Sequence, residues 1–480
     1  MKYRKTILFF CFWATLVTVI FTSSCRKDPA FNTDGGVKLA FSTDTVLFDT
    51  VFTTIGSSTR KLMVYNPYDE AVKISKIALA GGSSSPYMIN IDGEYSTAIY
   101  DKAIEPKDSI YIFVKVRINP DDSNNPFFVQ DSIIFNTNNN YQDVKLVACG
   151  QNANYILPDV FGQSFNYRRV EGVWTSERPY VIYDYAVIDS ATTLVIEEGC
   201  QLYFHKNARL WVYEGTLHVN GTPENKIVFQ SDRREQEFKN LPGQWDGILI
   251  TNALNCFIQN AEIRNAISGI QCDGFVASSE APTLQIINTK IENMSTGGIA
   301  GNGTYIVGAN ILIDKCYEYA MALCGGIFGF QHVTIANFVS TAEKPSMILQ
   351  NYFEQYEGFG ETIIVHKIPV APTLISFENS IAWGKTKEEI VTKYLEGYDF
   401  NWSFDHSLLQ TQRNLNESNF ITCWANEDPL FVNWEEYDYK LDTLSPALDR
   451  GKPLPNIQTD INGFLRNPQH PDLGAYEMTY

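Results

Sequence analysis

The chain has 480 residues, with 37 Lys and Arg against 55 Asp and Glu and a formal charge of −18. Its first 25 residues hold three basic groups (Lys2, Arg4, Lys5) and no acid, so the remainder stands at −21. That balance excludes a nucleic-acid binder, which must meet phosphates with clustered Lys and Arg, and 44% apolar residues with 19% charged exclude a disordered chain. Positive charge at the start, an uncharged run of 15 residues from Ile7 to Phe21, and then Thr22-Ser23-Ser24-Cys25 follow the order of an export signal. As a helix that run would rise about 22 Å, short of a ~30 Å hydrocarbon core.

Small residues ending in Cys25 resemble the bacterial lipoprotein box, although Thr22 stands where that family has an aliphatic residue. The resemblance implies a signal peptide over 1–25, lipidation of Cys25, and a membrane partner through that lipid. Residues 26–36 then read as a tether like those of proteins anchored to the outer membrane of Gram-negative bacteria. Removing Cys11 and Cys25 leaves seven cysteines. None has zinc-knuckle spacing, and small buried apolar side chains are the expected role of most; spacing alone assigns no disulfide.

From 37 to 151, short alternating runs such as Lys61–Tyr65 and Ser109–Val116 are separated by turn clusters such as Asn66-Pro67-Tyr68-Asp69. This pattern predicts an antiparallel sandwich. The Asn66-Pro67 turn and the closing strand before Gly150 resemble immunoglobulin-like domains of the abnormal-spindle/hydin type. Nothing there suggests catalysis, and a spacer is the expected role.

The middle of the chain repeats. Aligned on Asn260, Asn288, Asn310, His332, Glu378 and Asp405, six segments carry Ile263, Ile291, Ile313, Ile335, Ile381 and Leu408 three residues later. Two residues further stand Asn265, Asn293, Lys315 and Asn337, a polar position suited to a corner. A step near 22 residues, rich in Ile, Asn and Gly and without the fixed Leu pattern of leucine-rich repeats, predicts stacked coils of short parallel strands around a shared apolar bore. Upstream, Glu198-Gly199, Gly215-Thr216-Leu217 and Trp245-Asp246-Gly247-Ile248 resemble the opening coils of right-handed parallel β-helix proteins of the pectate-lyase-like superfamily. That resemblance covers 155–442 and implies about 12 coils in a rod near 60 Å long, with a loop projecting from the less regular stretch 341–370. The fold class expected is therefore all-β, an immunoglobulin-like sandwich followed by this rod.

Residues 443–480 carry Ser445-Pro446-Ala447, Asp460-Ile461-Asn462-Gly463 and Pro471-Asp472-Leu473-Gly474-Ala475-Tyr476-Glu477. They resemble the closing motif of many exported bacterial β-helix proteins, and their turns are expected to fold over the last coil. Calcium is the ion that Asp449, Asp460 and Asp472 would take, but no segment has dense ligand spacing, so a structural role is expected and no cofactor is assigned.

One residue beyond the aliphatic column stand Arg264, Glu292 and Asp314, expected to face outward on successive coils. They are the catalytic candidates, weighed against a plain ion pair between rungs. Trp211, Tyr213 and Trp245 are candidate platforms for sugar rings. The expected function is a non-enzymatic, surface-anchored lipoprotein whose rod binds polysaccharide or a partner protein. A polysaccharide lyase or glycoside hydrolase working on the outer face is the alternative.

Overall fold

A computed structural model of the chain describes residues 30–53, 56–120, 127–274, 281–357 and 364–478. The expected signal, Cys25 and the first four residues of the tether, 26–29, lie outside the described residues. The described chain is all-β and divides into two compact units, 1–151 and 152–480. Among the described residues no helix is long and apolar enough to cross a membrane.

The first unit holds two five-stranded sheets. Alternation decides their faces: in Ser109–Val116 the residues Ile110, Ile112, Val114 and Val116 point into one shared core, with Leu62, Ile74, Phe135 and Leu146. Pairing between its strands is antiparallel except where Thr45–Phe52 runs parallel to Asn140–Gln151, which the antiparallel expectation missed, and Phe31 adds an isolated parallel bridge to Ala71. Asn66 is buried, and its amide donates to the carbonyls of Glu70 (2.8 Å) and Ile104 (3.1 Å), so the Asn66-Pro67 turn is held by its side chain.

The second unit is dominated by one sheet of 26 strands. Its parallel pairings form three ladders. The first climbs from Asn166–Arg169 to Ile390–Lys393 in nine segments. The second climbs from Gly172–Trp174 to Phe420–Ile421 in ten. The third climbs from Asn154–Ile156 to Trp424–Ala425 in eleven. Successive turns of chain thus stack as coils, about ten rather than the expected twelve, over roughly 43 Å at 4.8 Å per rung. The shortfall comes from chain that leaves the ladders. One such excursion is the antiparallel hairpin of Tyr352–Glu357 with Ile364–Pro369, and another is that of Phe431–Asn433 with Asp438–Leu441.

Between the second and third ladders the chain turns on one residue in the left-handed region. Asn260, Asn288, Asn310, His332, Asn379 and His406 have φ between 45° and 53°, a conformation Asn tolerates better than most residues. Their side chains link rung to rung, with the Asn310 amide donating to Asn288 Oδ1 at 2.9 Å and the Asn379 amide 3.0 Å from His332 Nε2. Asn265, Asn293 and Lys315 mark the next corner with φ of 60°, 66° and 44°.

Ile263, Ile291, Ile313 and Ile335 lie in register and are fully buried in the bore. The column then continues through Ala382, not Ile381, and through Leu409, not Leu408. The corner residues there are Asn379 and His406, one past Glu378 and Asp405, and a slip of one residue turns a strand's faces over. Ile381 and Leu408 therefore point outward. Second-ladder rungs fill the bore with rings: Phe330, Phe377 and Phe404 stack at 5.1 and 5.0 Å.

The C-terminal segment packs on the side of the coils. It lies as a strap along the outer face of the third ladder, where Leu312 and Ala336 meet Tyr439, Ile461, Ala475 and Tyr476. Further along, Ile381, Trp383 and Leu408 meet Leu441, Ala447 and Leu473. Each such aliphatic or aromatic side chain taken from water contributes about 1.5–3 kcal/mol. Outward positions on the two rungs before Leu312 are charged, with Glu262, Arg264, Lys290 and Glu292 in register.

Seven cysteines (149, 200, 256, 272, 316, 324 and 423) are free thiols, and the five from Cys200 to Cys324 are buried. Burial pushes Cys256 up to about 11, which keeps it a thiol at neutral pH.

Candidate functional site

Arg264, Glu292 and Asp314 stand on three successive rungs, but they do not form an open set. Arg264 pairs with Glu262 and lies 3.1 Å from Glu292. Asp314 is fully buried beneath the strap, where the Tyr439 hydroxyl donates to its Oδ2 at 2.5 Å. Burial, and then the Glu292 carboxylate, hold Asp314 well above the ordinary carboxylate range. A substrate cannot reach Asp314 while Tyr439 covers it, so the three are not a catalytic trio.

Trp245 is corrected as well. Its side chain is fully buried, stacked on Phe204 at 4.0 Å, with Nε1–H donating to the Arg264 carbonyl at 2.8 Å. Trp211 and Tyr213 do face outward on the first ladder. Trp211 presents its edge to Phe165 and Tyr213 and donates to Thr251 Oγ1 at 3.1 Å. Trp211 is half-buried among these rings, whereas Tyr213 remains exposed.

The C-terminal carboxylates cap backbone turns. Asp460 Oδ1 accepts from the amides of Asn462 and Phe464 (2.8 and 2.9 Å), and its Oδ2 accepts from Glu477 (3.1 Å). Asp472 accepts from the amides of Asp449 and Met478, each at 2.8 Å. Asp449 has φ 54° and accepts from the Asn467 amide at 3.4 Å. Among the described residues no three His, Cys, Asp or Glu side chains gather to hold a metal ion.

A different feature is built from residues that sequence reasoning passed over. On the outer face of the second ladder two adjoining cavities, of about 570 and 480 Å³, share Val307, Gly329 and Ser376. Three columns run along the stack there. Tyr305, Ile327 and Leu374 make an apolar ledge, and Val307, Gly329 and Ser376 a floor of small side chains. Ala309, Gln331 and Glu378 make a wall, which Asn456 and Gln458 of the strap extend. Asn456 Nδ2 donates to Gln331 Oε1 (3.3 Å), and Gln331 Nε2 donates to Glu378 Oε2 (2.5 Å). The only signal in the sequence was the pattern of small residues, and Glu378 served there as a mere alignment point.

At the end of that wall Lys452 bonds to both Glu378 and Asp405, with 2.5 Å to the latter, and His406 Nδ1 lies 2.7 Å from the other Asp405 oxygen. Burial alone would push Asp405 up, but the hydrogen bonds and charges of Lys452 and His406 outweigh it and hold the carboxyl below its ordinary 3.8. A depressed carboxylate adds stability that is complete above its unfolded value and is lost as pH falls through the folded one. Acidification below about pH 4 should therefore progressively weaken the Asp405 half of the Lys452 clamp. The expected readout is a reduced protection factor for the Lys452 amide, which donates to Asn379 Oδ1 at 2.9 Å. Protection that persists until global unfolding would remove this clamp from the account.

No family model matches the chain, and no curated protein matches it. Solved structures show limited likeness. A family 123 glycoside hydrolase from Clostridium perfringens shares 10% identity at a TM-score of 0.18, over 24% of this chain and 27% of that one. The periplasmic chaperone SfaE shares 12% at 0.18, over 25% of this chain and 60% of its own. The chain thus spans less than two thirds of either protein. The catalytic unit of the GH87 α-1,3-glucanase of Streptomyces thermodiastaticus shares 10% at 0.14, over 73% and 75%. At such scores none of them bears on what this chain does.

Proposed function

We propose that this is an exported lipoprotein, anchored through Cys25 to the outer membrane of a Gram-negative bacterium, that binds polysaccharide without cleaving it. In this reading 37–151 is an immunoglobulin-like spacer and the coils of 155–442 form a right-handed parallel β-helix. The observation that carries the binding function is the groove over Val307, Gly329 and Ser376. Its apolar ledge suits the C–H face of a sugar and its amide wall suits the hydroxyls. The rung spacing of about 4.8 Å is close to the length of one pyranose in an extended chain. Glu378 and Asp405, the carboxylates beside it, both hold Lys452. Asp405 thereby stays ionised at neutral pH, whereas a general acid needs a raised pKa.

Gly329 supplies the test. A Cβ built there meets only Ser376 Oγ and Val307 Cγ1, both at 3.8 Å, so a side chain would enter the groove without disturbing the coil. Gly329→Leu should leave the melting temperature within about 2 °C of wild type, while affinity for a polysaccharide found by glycan array falls about tenfold or more. Reducing and unsaturated ends should not accumulate in either protein. Release of such ends would favour the lyase or hydrolase reading, and undiminished binding by Gly329→Leu would place the ligand elsewhere.

A further inference from the structure

A second cavity, of about 550 Å³, lies on the other side of the third ladder from the groove. Three stretches of chain far apart in sequence build it. The loop after Ile227–Ser231 brings Arg233, Arg234 and Lys239, the strand ends bring Arg264, Lys290 and Glu292, and the strap brings Glu435, Glu436 and Tyr437. Five cations therefore line one cavity with three carboxylates, in a chain whose net charge is −18.

The cations divide by what they already hold. Arg233 pairs with Glu235 at 3.1 Å and lies over the Phe238 ring, and Arg264 is engaged by Glu262 and Glu292. These neutralised pairs shape the wall. Lys239 and Lys290 make no ion pair within 4 Å among the described residues; Lys290 lies 5.7 Å from the Tyr476 ring. Arg264 Nε is buried beside Glu292, so this guanidinium belongs to the wall. The excess charge is felt behind the wall. Burial first, and then Lys290, press the Lys226 ammonium below its ordinary 10.5 despite the Glu262 and Glu292 carboxylates. Cations without a carboxylate partner, gathered in one concave site, focus a positive potential that favours an anion there.

We propose that this cavity is a binding site for the oxyanion group of a small ligand, held by Lys239 and Lys290. Sulfate, phosphate and carboxylate share the chemistry that these donors meet. The site does not depend on the groove being a polysaccharide site.

Titration calorimetry of the full-length protein in detergent, with inorganic sulfate, inorganic phosphate and glucuronate in separate arms, tests it and separates the three sources. At least one anion should bind saturably. The double variant Lys239→Gln/Lys290→Gln should weaken that binding about tenfold or more. Glu435→Gln/Glu436→Gln, which removes two competing charges without touching the donors, should tighten it. Gly329→Leu should leave it unchanged. Absence of saturable binding by all three anions, or the same affinity in wild type and in both charge variants, overturns the proposal.

Discussion

Gly247→Ala should be the most damaging single methyl that can be added to this chain. Gly247 opens the strand Gly247–Thr251 with φ 103°, and a Cβ there would lie 1.7 Å from the backbone carbonyl oxygen of Ser268 on the next coil. Neither atom can move away, because Ile248 to Thr251 are paired with Ile270 to Asp273 immediately afterwards. The coils would have to part. The expected cost is about 4 kcal/mol or more, the range reserved for strain or overpacking within a core. Gly397→Ala is the control: it has φ 86° but nothing within 4 Å of the added methyl. It should therefore show only the left-handed backbone penalty, about 1–2 kcal/mol. Urea denaturation of both variants separates steric conflict from φ preference. If they lose the same stability, the close approach of the coils at Gly247 is not what holds this glycine in place.

The stacking was legible because the bore imposes one aliphatic residue per coil at a fixed distance from a corner. Ile263 to Ile335 obey that rule without exception. Beyond His332 the hairpin of Tyr352–Glu357 and Ile364–Pro369 interrupts the count, and two acids, Glu378 and Asp405, were taken for corners that Asn379 and His406 make. Composition could not expose the slip. Ile381 and Leu408 are as apolar as true bore residues because the strap buries them from outside. Asp314 misled in the opposite direction: a carboxylate on an outward position reads as exposed until Tyr439, 125 residues away, is laid over it. The groove was illegible for a simpler reason. Its floor is the column Val307, Gly329 and Ser376, whose side chains share no chemistry that a repeat could display.

Arg466→Ala should detach the strap. The Arg466 guanidinium is 2% exposed and its partner Glu477 5%, at 3.1 Å. The same group donates to Asn310 Oδ1 at 2.7 Å and to the Gly474 and Thr459 carbonyls at 3.0 and 3.3 Å. It thus ties the strap to the corner column of the coils and to itself. Removing it leaves a buried carboxylate facing Asp472 and Asp460 without its cation, a loss of about 3–5 kcal/mol. Burial already raises Glu477, so the carboxylate would take up a proton instead of remaining charged. The bore does not depend on this contact, and the coils should stay folded while the strap opens. Protection should fall at the Ala475 amide, which donates to Thr334 Oγ1 at 2.8 Å, and protease should cut within 443–478. Leu312, Ala336 and Ile381 would then face water, so aggregation should follow at concentrations the wild type tolerates. Arg466→Lys should restore only part of the hold, since one ammonium cannot reach Glu477, Asn310 and Gly474 in the planar geometry of a guanidinium. A strap equally protected in all three proteins would mean that its apolar contacts alone keep it on the coils.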